Sequence, residues 1–174
     1  VYPYASSEDP GVRATALTSL GSLASYNDQP QILTLLAETS DRAEITELQR
    51  ALLTAAMKHD DPEQRSDLII EAIEKGGDKL KLVPLLAATG GEKALKLIAY
   101  EFENGDATTR DACFDALSHW KDHSAAKQLL NITASGNKTF GMPAFDAYMR
   151  MTEAARISPE LKLQMVKEIA PYAA

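Results

Sequence analysis

Five times along this chain an Asp or Asn stands just ahead of a stretch with helical apolar spacing: Asp9, Asp41, Asp78, Asp106 and Asn137. The side-chain oxygen of such a residue accepts a backbone N–H that the first turn of a helix leaves without a partner, so each is a helix-start signal. The intervals between them run from 28 to 37 residues and average about 32, within the range of helical-hairpin repeats. Phase constrains the fold more tightly than spacing. Arg13, Ala16, Leu17 and Leu20 match Arg110, Cys113, Phe114 and Leu117 at a constant offset of 97 residues. Leu82, Val83 and Leu86 fall on the same apolar positions, as do Ala51, Leu52 and Ala55, and Ala147, Tyr148 and Met151. Each set follows i, i+1, i+4, the pattern of one helical stripe.

A second helix completes each unit, marked by Ile32 and Leu36, Ile69 and Ile73, Leu95 and Ile98, Leu129 and Ile132, and Leu161, Met165, Val166 and Ile169. Breakers separate the helices: Asp61-Pro62, Gly76-Gly77, Gly90-Gly91, Gly105, Gly136 and Ser158-Pro159. The pattern predicts ten helices, over 9–24, 28–38, 42–58, 62–75, 78–89, 91–104, 107–120, 123–134, 139–156 and 159–172. Pro84 sits inside one of them, which predicts a kink or a late start. No alternating strand pattern of useful length occurs. A single hairpin cannot bury its apolar face, so neighbours must stack. The expected fold is all-α: an α-solenoid of about five hairpins in one domain over 1–174.

Composition narrows the function classes. The 174 residues are 45% hydrophobic but only 6% aromatic, a bias that suits close helix packing. Net charge is −7 and the pI is about 5.0. No Lys/Arg cluster forms the basic stripe that nucleic-acid binding requires. No apolar run reaches the ~18 residues of a membrane span. Cys113 is the lone cysteine, so no intramolecular disulfide forms, and its apolar repeat position makes it a core thiol. The chain opens on Val1 and stops at Ala174 directly after a helical segment, and is read as a piece of a longer polypeptide.

The openings Asp9-Pro10-Gly11-Val12-Arg13-Ala14-Thr15-Ala16-Leu17 and Gly105-Asp106-Ala107-Thr108-Thr109-Arg110-Asp111-Ala112 resemble HEAT repeats. The unit order is similar to a bacterial HEAT-like module through Gly90-Gly91-Glu92-Lys93-Ala94-Leu95, Ala116-Leu117-Ser118-His119-Trp120 and Phe145-Asp146-Ala147-Tyr148-Met149-Arg150. The second repeat departs from it, because Arg42-Ala43-Glu44-Ile45 lacks the Val-Arg pair. Modules of this kind occur in exported bacterial proteins, some joined to lectin-like domains of the 3-keto-disaccharide hydrolase type. The resemblance therefore implies a HEAT/armadillo-like superhelix and a periplasmic or extracellular setting. It also implies an alternative role as accessory to a carbohydrate-active hydrolase domain outside this chain. It carries over no catalytic residue.

Local constellations suggest chemistry only weakly. His119 and His123 are spaced i, i+4 with Asp115 one turn earlier, as a metal site would need, but Lys121-Asp122-His123 reads as a turn that breaks the shared face. His59-Asp60-Asp61 reads as a helix end followed by an Asp-Pro cap. Glu101, Glu103 and Asp106 could pair as acid and base, yet they flank a helix end and are expected to be solvated. No nucleophile elbow or phosphate loop is present. The reading is a non-catalytic binding module without catalytic, cofactor or metal residues and without a cofactor. It engages another protein or a linked domain of its own chain. Tyr100, Trp120, Phe140 and Met142 are the candidate contact residues, although packing between repeats is the simpler role for Trp120 and Tyr148. Met165, Val166 and Ile169, or the N-terminal pair, could join two copies through exposed solenoid ends.

Overall fold

A computed structural model describes residues 1–173. The chain is all-helical, with 77% of residues in helix and no strands among those described. Among the described residues eleven α-helices follow in order: α1 (Tyr2–Ala5), α2 (Pro10–Leu23), α3 (Gln29–Glu38), α4 (Arg42–Ala56), α5 (Asp67–Glu74), α6 (Lys79–Thr89), α7 (Glu92–Asn104), α8 (Ala107–Ser118), α9 (Ala126–Ala134), α10 (Gly141–Ala154) and α11 (Pro159–Ile169). The chain forms two compact units, Val1–Leu97 and a second from Ile98 onward.

Four of the five repeat-opening residues cap a helix, and the fifth, Asn137, holds the turn that leads into α10. Asp9 Oδ1 accepts from the N–H groups of Gly11 (2.8 Å) and Val12 (3.1 Å). Asp41 Oδ1 takes Ala43 (2.8 Å) and Glu44 (3.0 Å) in the same way. Asp78 accepts from Leu80, Asp106 from Thr109, and Asn137 from both Thr139 and Phe140. Such bonds satisfy donors that the first turn would otherwise leave open. Behind the caps the repeat stripe is buried in every copy, with Phe114 alone reaching only half-burial. Within the first unit α2 packs on α4, α4 on α6, and α3 on α4 and α5. Within the second, α8 and α9 pack on α10, and α10 on α11.

Three features depart from the sequence reading. The helix α1 was not anticipated: its four residues are too few to show a period, and Pro3 supplies the start. Three second helices begin with a 3₁₀ turn, at Tyr26–Asp28, Pro62–Gln64 and His123–Ala125, before the α-helix proper. Finally, α6 starts on schedule at Lys79 and runs through Pro84 as one helix to Thr89. Pro84 is exposed, so its ring faces water, and the late start does not occur.

Basic side chains tie the helix ends together. Lys81 Nζ donates to the carbonyls of Leu36 (2.9 Å) and Thr39 (2.8 Å) at the end of α3. Lys58 Nζ reaches the Ala24 carbonyl after α2. In the second unit Arg110 donates from Nε to the Phe102 carbonyl (3.0 Å) and from Nη2 to the Gly105 carbonyl (3.3 Å). Cations at helix C-termini meet both the open carbonyls and the negative end of the helix dipole.

Candidate functional site

The four candidate contact residues have different surroundings. Tyr100 on α7 is 61% exposed, and Met142 in the first turn of α10 is 51% exposed. Trp120 is buried at the end of α8, where its Nε1 donates to Ser124 Oγ at 2.8 Å. Phe140 is half-buried, its ring 5.3 Å edge-on from Phe102 and 4.8 Å from Phe114. That aromatic trio was not read from the sequence, because its members come from three helical segments and share no local period. Tyr148 is buried and donates from its hydroxyl to the Met165 carbonyl at 3.1 Å. Burial, with the nearby Glu168 charge, pushes its pKa up to about 12.

The ends carry the clearest outward apolar surface. Met165 and Ile169 were expected to be available to a second copy, but both turn inward on the α10-facing side of α11. Of that trio only Val166 stays outside, at 38% exposure. Leu161 is exposed at the other edge of the buried stripe, and Leu163, 55% exposed, lies on the far side of the helix. Leu163 lies off the buried stripe, so apolar spacing alone does not single it out. In the first unit Val1 ahead of α1, Tyr4 on α1, and Val12 and Leu23 on α2 are exposed apolar residues.

The titratable clusters make local contacts. His119 closes α8, with its Nδ1 3.0 Å from the Asp115 carbonyl and 3.2 Å from that residue's carboxylate, while His123 begins the next 3₁₀ turn. Among the described residues no group of three or more His, Cys, Asp or Glu is placed to hold a metal. His59 stacks on Tyr26 with ring centroids 4.5 Å apart, and its Nδ1 accepts from the Asp61 N–H at 3.1 Å. Hydrogen bonds from Gln64 and the Glu63 N–H hold the Asp61 carboxyl below the usual carboxylate range. Glu103 and Asp106 are exposed, but Glu101 is buried. The expectation of a solvated Glu101 fails because it continues the Ala94–Ile98 stripe of α7 by one turn.

The second unit also contains a cleft of about 310 Å³ between α7, α8 and α9. Phe102, Leu117 and Ile132 give it apolar walls, and Arg110, Gln128 and Asn131 project polar groups. Gln128 Oε1 is sealed from solvent and has no hydrogen-bond partner.

No protein-family model, curated protein or solved structure matches the chain. No helix among the described residues is long and apolar enough to cross a membrane.

Proposed function

We propose that the hairpins stack as a HEAT-like α-solenoid and that the chain is a non-catalytic scaffold, binding another protein or a linked domain of its own polypeptide. Support for the stacking comes from inside each unit, where equivalent first helices pack on one another: α2, α4 and α6 in the first, α8 and α10 in the second. The observation that carries the binding role is α11. This helix buries Met165 and Ile169, leaves Leu161 and Val166 exposed at the edges of that stripe, and carries the exposed Leu163 on the far side. Together these side chains leave α11 with more apolar surface than its packing against α10 covers, and such surplus marks an interaction face. The polar clusters fit a scaffold as well, since Asp61 and Asp106 cap helices and His59 stacks on a tyrosine.

The test is photo-crosslinking in the native cell, with benzoylphenylalanine placed at Leu163 and, as control, at the exposed Asp111 on α8. A discrete adduct from position 163 and none from position 111 is expected. An adduct of twice the chain mass would identify a second copy as the partner, and any other mass a different protein. If position 163 gives no adduct beyond the control, the binding role assigned to α11 is wrong.

A further inference from the structure

Arg13 and Arg110 hold the same place in the repeat but are neutralised differently. In the first unit Arg13 donates from Nε to the Glu44 carboxylate and from Nη1 to the Ser7 carbonyl. Glu44 is the residue three places after the capping Asp41. In the second unit the equivalent residue is the neutral Asn137, which holds the turn before α10, and three places after it stands Phe140. An aromatic ring thus replaces the carboxylate, and an amide replaces the aspartate. The bonds of Arg110 all go to backbone carbonyls, of Phe102 and Gly105. It is half-buried, and it forms one wall of the 310 Å³ cleft.

We propose that this cleft binds the carboxylate group of a small amphiphilic monoacid. Arg110 supplies the cation, and its remaining N–H groups form the fork that matches a carboxylate. Gln128 and Asn131, one turn apart on α9, line the cleft and can donate from their side-chain amide N–H groups to the carboxylate. Phe102, Leu117 and Ile132 receive the apolar body. The volume lies at the lower end of the ~300–1,000 Å³ usual for small-molecule sites, so the ligand is small. Glu103 lines the cleft and Asp106 lies one turn ahead of Arg110 on α8. These two carboxylates repel a second negative charge and select a monoacid over a diacid. The net charge of −7 opposes anions at long range, so affinity comes from short-range contacts and is modest.

A free acid and the C-terminal carboxylate of a protein chain present the same group. The test titrates the isotope-labelled 174-residue chain by NMR with phenylacetate, phenylacetamide and acetylglycylphenylalanine. Phenylacetate is expected to saturate and to shift the side-chain amides of Gln128 and Asn131, with phenylacetamide about tenfold weaker or worse. Arg110→Gln weakens phenylacetate binding about tenfold, and Arg13→Gln leaves it unchanged. Arg110 also holds helix-end carbonyls, so Asn137→Asp provides a second test. It keeps an acceptor for the turn before α10, restores the acid present at Asp41, and weakens binding about threefold or more by repulsion. Tighter binding of acetylglycylphenylalanine than of phenylacetate assigns the site to a chain terminus, and the reverse order assigns it to a free acid. The proposal is overturned if neither acid saturates, if the amide binds as well as the acid, or if Arg110→Gln and Asn137→Asp both leave binding unchanged. These outcomes are separate from the α11 interface, which the crosslink at position 163 reads.

Discussion

At the scale of single residues, stability turns on a few polar groups and close contacts. Gln29 is fully buried in the first turn of α3, and neither atom of its amide end has a partner. An unmatched buried amide costs about 1–3 kcal/mol, so a same-shaped apolar replacement removes a penalty. Gln29→Met is expected to raise the stability by about 1 kcal/mol in denaturant unfolding; a loss of that size would mean the amide is satisfied in solution. Gly105 has the opposite constraint. A Cβ there would lie 2.6 Å from the Glu101 carbonyl oxygen and 2.8 Å from Thr109 Cγ2. Backbone cannot yield as a flexible side chain can, so Gly105→Ala should cost about 1–3 kcal/mol by the same measurement. An unchanged midpoint would show that the α7–α8 turn relaxes freely.

At the scale of elements, capping and charge pairing decide where helices begin and how neighbours are tied. Asp41 caps α4 through two N–H groups, and Asp41→Ala is expected to cost about 1 kcal/mol. Asp41→Asn should cost far less, because the amide oxygen caps equally well; equal losses would assign the effect to charge. Glu44 joins α4 to α2 through Arg13, with both side chains about three-quarters covered. Hydrogen bonds from Thr39 and Arg13 lower its pKa from the ordinary 4.5. A lowered folded-state pKa stabilises above the unfolded value and is lost as pH falls through the folded one. The wild-type advantage over Glu44→Gln, about 1 kcal/mol, should therefore be full above pH 4.5, shrink as acid is added, and vanish below the lowered value. Thermal melts from neutral pH to pH 2 check this, and an advantage independent of pH would remove the ion pair from the account.

At the scale of the whole molecule, each unit has its own buried stripes. Leu52 is fully buried in the first, and Leu52→Ala should cost about 2–5 kcal/mol through the cavity it leaves. Because the contacts cluster separately before and after Leu97, the resulting rise in amide hydrogen exchange is expected within Val1–Leu97. An equal rise from Ile98 onward would mean that the chain opens as one block.

What the sequence determined by itself was local. A capping side chain acts on N–H groups two or three residues away, and an amphipathic stripe is fixed by a 3.6-residue period, so the caps Asp9, Asp41, Asp78 and Asp106, and the stripes behind them, were legible without coordinates, whereas Asn137 holds a turn ahead of α10 instead of capping it. What tertiary structure decided was non-local. The contact of Phe140 with Phe102 and Phe114, the inward turn of Met165 and Ile169, the burial of Trp120 and the cleft around Arg110 depend on which helix faces which. The repeat placed Arg13 and Arg110 in equivalent positions, but only packing showed that one meets a carboxylate and the other carbonyls. Periodicity tells which side of a helix is covered; the identity of the covering side chain is set by packing between segments far apart in the chain.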